Sequence, residues 1–201
     1  MVASAQIAEG DQAQLPTAVP DRSCNLHYQP ITGQQRFKWF AQSTIGPQSL
    51  AAGVFSAALG TATNSPKEYH GTWEGFGKRY GTWLSTNAAS NALEAGLGAA
   101  WGEDPRYVHS VDNRFWNRIG HAGRLTFMAY RANGTMAPAY ARYSGMAGSN
   151  FLSNTWRVQS ENTVGAAVTR TALGFAGKFA SNVFEEFFMR GKKTPESTRH
   201  P

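Results

Sequence analysis

The sequence predicts an all-α fold, a bundle of four to six helices packed closely through Gly/Ala-rich seams. Three observations lead there. Apolar residues recur at three- and four-residue spacing in one segment after another, small residues recur at every fourth position, and turn-forming pairs such as Gly46-Pro47 and Asn133-Gly134 separate the segments. Composition agrees: 201 residues with 41 % hydrophobic, 12 % aromatic and 16 % charged side chains and 21 glycines suit one folded domain. The same figures exclude disorder throughout and any collagen-like or coiled-coil repeat.

Residues 1–32 carry Pro16, Pro20 and Pro30 and no sustained period, so they read as a disordered or extended lead-in. Helical spacing begins at Gln34 with Phe37, Phe40 and Thr44. Gly46-Pro47 breaks this run, and Pro47 suits the first turn of the next helix, because its missing N–H has no partner there anyway. Leu50, Val54 and Ala58, with Ala51, Phe55 and Leu59, then form one apolar face, expected to point inward. The third and strongest pattern runs through Trp73, Phe76, Tyr80, Trp83, Leu84, Leu93, Leu97 and Trp101, a helix about 42 Å long if unbroken. Gly102 stops it, and Pro105 holds Asp104 out of helical geometry.

A fourth helix is expected over about 113–131, with Phe115, Ile119, Ala122 and Thr126 on one face and Asn133-Gly134 as its end. The competing reading makes Asn133-Gly134 a type I′ turn between strands 125–132 and 135–143. A short helix rich in Gly, Ala and Tyr is predicted within 138–154, and a last one over 162–189, lined by Val164, Val168, Phe175, Phe179 and Val183. The domain therefore covers 33–190, and 191–201 form a basic tail.

A small residue followed by Ser-Asn occurs three times, at Ala89-Ser90-Asn91, Gly148-Ser149-Asn150 and Ala180-Ser181-Asn182. Asn is a poor helix former and needs a reason to sit in a helix interior. Convergence of Asn91, Asn150 and Asn182 into a mutually bonded polar core would supply one, fixing helix register. Gly77 with Gly81, Ala88 with Ala92, and Ala92 with Gly96 and Ala100 are small pairs at four-residue spacing, expected to let helices approach closely.

Glu103-Asp104-Pro105-Arg106-Tyr107 is the densest polar cluster. In one reading it is a helix-stop loop in which Arg106 pairs with a local carboxylate and Tyr107 packs on the core. In the other, Asp104, Arg106 and Tyr107 form an anion-recognition corner. No catalytic residue is assigned and no cofactor or metal motif is present: HExxH, G-x-S-x-G, P-loop and dinucleotide fingerprints are all missing. The enzymatic alternative, a hydrolase or lipid-handling enzyme, needs His70, Glu74, Asp104 and His109 to meet in one cleft.

Lys+Arg 19 against Asp+Glu 13 gives a net charge of +6. With no long basic stripe, solubility accounts for most of the excess, anionic lipid is the next reading, and nucleic acid is unlikely to be a partner. Cys24 is a single cysteine and closes no intramolecular disulfide. No apolar run reaches the roughly 18 residues of a spanning helix. Ala3-Ser4-Ala5 has the small-x-small pattern of a signal-peptide remnant without the apolar segment before it, or is simply a small-residue N-terminus.

The order Phe37-x-x-Phe40, Gly75-Phe76-Gly77-Lys78-Arg79-Tyr80-Gly81, Glu103-Asp104-Pro105-Arg106-Tyr107 and Ala180-Ser181-Asn182-Val183-Phe184-x-Glu186-Phe187 resembles an uncharacterised family of small bacterial envelope proteins. The resemblance covers residues 34–189. It transfers no catalytic residue. It implies a non-enzymatic structural protein or an accessory subunit of a membrane-linked assembly, in the periplasm or at the outer membrane, with other envelope proteins or anionic lipid as partners.

Overall fold

The computed structural model describes residues 28–189. The expectations for the lead-in up to residue 27, Cys24, Ala3-Ser4-Ala5 and the basic tail lie outside them. The described chain is a helical bundle of six α-helices: α1 (Gly33–Ile45), α2 (Pro47–Ala62), α3 (Trp73–Trp101), α4 (Phe115–Phe127), α5 (Tyr140–Leu152) and α6 (Val164–Phe184). A small antiparallel sheet in the order β1-β2-β3 is added by β1 (Glu103–Asp104), β2 (Met128–Arg131) and β3 (Met136–Pro138). A π-helical turn, Glu185–Met189, continues α6.

Local chemistry sets the helix starts and stops. Thr32 and Gln35 form a reciprocal capping box before α1, at 3.3 and 3.1 Å. Pro47 opens α2, and the hydroxyls of Thr72 and Thr163 accept the Gly75 and Ala166 N–H groups at the starts of α3 and α6. Gly102 ends α3 at φ 70°, a left-handed conformation that suits a residue without Cβ.

Helix α3 runs unbroken through the middle. It packs against α1 and α2 on one side and α5 on the other, while α6 lies on α4 and α5. Gln48 at the start of α2 donates to Ser181 of α6 at 3.5 Å, closing the ring. Close approach occurs at particular glycines. A Cβ on Gly145 of α5 would stand 2.9 Å from the Ser90 carbonyl of α3, and one on Gly53 of α2 would stand 2.5 Å from the Trp83 ring. Gly145→Val is expected to cost about 1–3 kcal/mol by forcing α3 and α5 apart, read as a lower thermal midpoint. The pairs expected to form seams do not: a Cβ on Gly77, Gly81 or Gly96 would meet nothing within 4 Å, and Ala92 and Ala100 are exposed.

The Asn133-Gly134 segment corrects both readings made from sequence. Helix α4 stops at Phe127, four residues short of the expected end, and a hairpin follows whose strands are shorter than the alternative required. Its turn is not type I′, because only Gly134 has positive φ, 77°. The Gly134 N–H bonds Arg131 O and the Arg131 N–H bonds Thr135 O, giving a three-residue loop with glycine in the left-handed position. The Asn133 side chain accepts from Thr135 N–H and hydroxyl and fixes the turn.

The main correction concerns what is inside. Tyr107, Leu125 and Tyr130 are the only buried hydrophobic side chains larger than alanine among the described residues. The largest fully buried side chains are Glu186, Asn182, Thr126, Asp104, Ser149 and Ser153. Val54, Phe55 and Leu59, expected to face the core, are exposed, and Gly53 and Ala57 are buried in their place. Val164 and Val168 of α6 are likewise outside, as is Phe115 of α4. Helical spacing locates a stripe but does not say which stripe the bundle turns inward, and here the polar one is inside.

Candidate functional site

Burying a charge is costly unless it is paired and hydrogen-bonded, and Arg142, Glu94, Glu186 and Asp104 each have such partners, whereas Glu103 Oε1 has none. Arg142 of α5, 2 % exposed, meets Glu94 of α3 at 2.9 Å. Its remaining N–H groups donate to carbonyls at the end of α4, Leu125 O at 2.5 Å and Thr126 O at 3.1 Å. These carbonyls have no helical partner, so one guanidinium neutralises Glu94 and caps α4. Lys178 of α6 lies within electrostatic reach of Arg142, Glu94 and Glu185.

A second hub lies where the π turn meets the loop before α4. Glu186, 0 % exposed, accepts the Tyr107 hydroxyl at 2.9 Å, the Ser110 N–H at 3.1 Å and the Arg118 Nε–H at 2.9 Å. Arg118 also donates to the Glu186 carbonyl, and its guanidinium stacks on the Phe187 ring at 4.1 Å. Burial, reinforced by the Glu186 carboxylate on its hydroxyl, pushes the Tyr107 phenol well above its ordinary range.

The third hub is the Glu103–Tyr107 segment. Glu103 accepts the Ala141 N–H at 2.9 Å, placing a carboxylate at the N-terminus of α5, where the helix dipole favours it. Asp104 is gripped by Arg106 at 2.6–3.1 Å and by the Tyr28 hydroxyl at 3.1 Å. Burial, with the Asp104 carboxylate beside it, pushes the Tyr28 phenol up to about 12. Arg36 of α1 donates to Glu103 O at 2.8 Å. At the far end of α3, Arg79 holds the Ser65, Pro66 and His70 carbonyls at 2.8–2.9 Å and ties down the α2–α3 connection.

The structure separates several residues that sequence reasoning grouped. Asn91, Asn150 and Asn182 are all buried, but their amides bond different partners: Thr44 Oγ1 of α1, the Met146 carbonyl within α5 itself, and Thr126 Oγ1 with Ala122 O of α4. The mutually satisfied trio is replaced by separate bonds, three of them between helices, because the three helices meet α1, α4 and one another at different points. The anion-recognition corner of Asp104, Arg106 and Tyr107 is also corrected. The Arg106 guanidinium holds Asp104, Gln29 O and Gln35 Oε1, and Tyr107 is turned into the core, which is the helix-stop loop reading. His70 and Glu74 lie at the start of α3 and Asp104 and His109 beyond its end, about 42 Å away along its axis, so the four form no common cleft. His109 bonds the Glu185 carbonyl at 3.2 Å.

The surface of the described residues carries open concavities. One, of about 240 Å³, is lined by Tyr28, Pro30 and the β2–β3 turn, and another, of about 420 Å³, by Ser65–Glu68 with Ser160 and Glu161. No group of His, Cys, Asp and Glu among the described residues could hold a metal ion. Glu94 and Arg142 escaped sequence reasoning because neither belongs to a motif, and Glu186 appeared only within the Ala180–Phe187 pattern, with no role given to it. A signal was available for Glu94 and Arg142: each is a lone charge inside an otherwise uncharged stretch of helix, a pattern that buried ion pairs share. Comparison with protein-family models, with curated proteins and with solved structures found no match.

Proposed function

We propose that this chain is a non-enzymatic structural protein, or an accessory subunit of a larger membrane-linked assembly, of a bacterial cell envelope. One observation carries the reading: the charges buried among the helices are consumed by one another, Glu94 by Arg142 and Glu186 by Arg118, while large apolar side chains face out on all six helices. Phe37, Val54, Trp73, Trp116, Leu152 and Leu173 are each at least 48 % exposed. Apolar exposure on that scale marks a surface that works by being covered. The inward groups are spoken for as structure: Arg142 caps and neutralises, Glu186 joins the end of α6 to α4, and Asp104 is closed by Arg106 and Tyr28. Resemblance to small envelope proteins supports the same location, the periplasm or the outer membrane.

Fractionation of cells expressing the full gene from its own start codon tests this. The protein is expected in a membrane pool, resistant to a high-salt wash because apolar contact rather than charge holds it there. Recovery in the cytosol overturns the reading.

A further inference from the structure

The covering layer can be identified from the distribution of the exposed residues. They are not gathered on one face. Val54, Phe55 and Leu59 lie on α2, Leu152 on α5 and Leu173 on α6; α2 and α5 both pack on α3, and α6 packs on α5. A second copy or a partner protein covers one side of such a bundle; covering it all round takes an apolar medium.

Charge is placed to match. Among the described residues no charged side chain is exposed on α2, on α3 beyond Lys78, on α5 or on α6. Protein interfaces keep a polar rim, whereas an acyl-chain layer tolerates none. Exposed charge stands on Lys38 of α1 and otherwise at the ends. Lys67, Glu68, Glu74 and Lys78 stand at the beginning of α3, and Arg114, Arg124 and Arg131 around α4 and the hairpin. The second group is wholly cationic, complementary to anionic headgroups.

Tryptophans mark the same two levels. Trp73 is the first residue of α3 and Trp101 its last, 87 % and 46 % exposed. Their separation along the helix, about 42 Å, is the thickness of a bilayer with its interfacial layers, about 40–45 Å. Trp116, at the start of α4, is also exposed. Tryptophan favours this interfacial depth, with its ring in apolar surroundings and its N–H in water.

No helix among the described residues is long and apolar enough to cross a membrane. Helices α1, α2, α4 and α5 are 13–16 residues long, and the longer α3 and α6 carry polar groups, Asn91 and Glu94 on α3 and Arg170 and Lys178 on α6. The exposed side of the assembled ring lacks them, and polar groups turned to a bundle interior are the usual membrane arrangement.

We infer that the uncharged apolar belt between the Trp73 and Trp101 ends of the bundle is covered by the acyl chains of a phospholipid bilayer. This rests on the membrane-linked reading and narrows it from any apolar partner to lipid.

The test is nitroxide accessibility in the full-length chain. In a Cys24→Ser background, Val54→Cys and Leu173→Cys place a label on opposite parts of the belt, and Asn133→Cys places one in the hairpin turn. The protein is reconstituted into vesicles of phosphatidylcholine with a minor share of phosphatidylglycerol. Lipid contact predicts an oxygen-to-nickel-chelate collision ratio at the Val54 and Leu173 labels several-fold above that at the Asn133 label. Low collision with both reagents at the belt positions means protein covers them, which overturns the lipid assignment and leaves the assembly reading standing. High nickel collision there, or failure of the protein to float with the vesicles, overturns the lipid assignment; loss of membrane recovery in cell fractionation removes the broader reading as well.

Discussion

Arg142→Met is expected to destabilise the protein by about 3–5 kcal/mol, the cost of leaving a buried partner charge without compensation. Glu94, 5 % exposed, would lose its ion pair, and the Leu125 and Thr126 carbonyls would lose their donor. For a domain of this size that is a fall of roughly 10 °C in the thermal midpoint, followed by circular dichroism. The double variant Glu94→Gln with Arg142→Met is expected to recover part of the loss, since it removes the stranded charge, though not the capping of α4. Full additivity of the two single losses would show that the residues do not interact.

Glu186→Gln is the second large effect, about 2–4 kcal/mol. The amide keeps the carboxylate's shape, but it cannot neutralise Arg118, and its NH2 group cannot accept the bonds that the second carboxylate oxygen accepts. Tyr107 supplies a readout that a general loss of packing would not. Its phenol is pushed upward partly by the Glu186 carboxylate, so removing that charge should bring its ionisation to lower pH in an ultraviolet titration. The sign follows from linkage. A raised folded-state value means the protonated phenol stabilises the fold fully below the ordinary tyrosine value near 10, and the contribution fades as pH rises toward the folded-state value. Unchanged ionisation in a folded Glu186→Gln variant would remove Glu186 from this role.

Much of the fold is legible in the sequence, and the reasons are local. Gly46-Pro47, Thr72, Gly102 and Thr163 act within a few residues of themselves, so the limits of α2, α3 and α6 can be read from neighbouring positions. The hairpin is harder, because the helix and strand readings of 113–143 differ by tertiary pairing: β2 is held by β1, and β1 arrives from the far side of the α3–α4 connection. The inside of the bundle is harder still. Val54 and Phe55 form a convincing apolar face, and in a water-soluble bundle that face would be buried. Nothing in residues 47–62 tells that Arg142 and Glu94 meet elsewhere in the ring. That pairing joins positions 48 residues apart in the chain, and neither residue belongs to a recognisable motif. The Asn expectation shows the same limit: a poor helix former in a helix interior does signal burial, but its partner is set by which helix arrives beside it.

These features belong together in one physical scheme. Close-packed glycines at the α3–α5 and α2–α3 crossings bring backbones near one another, polar side chains join neighbouring helices across the interior, and the large apolar groups displaced from the interior stand outside. Such a molecule owes little of its stability to withdrawing its own large side chains from water. On the lipid reading proposed above, its outer layer is favoured where lipid or detergent supplies the apolar surroundings.

Phase partitioning of the purified full-length chain in a detergent that separates on warming tests this inversion of polarity most directly. Recovery of nearly all the protein in the detergent-rich phase, with the far-ultraviolet spectrum of a helical bundle, is the predicted result. A lipid-free, monodisperse monomer in the aqueous phase with the same helical spectrum would contradict it, because the large side chains placed on the outside here would then have to be folded within.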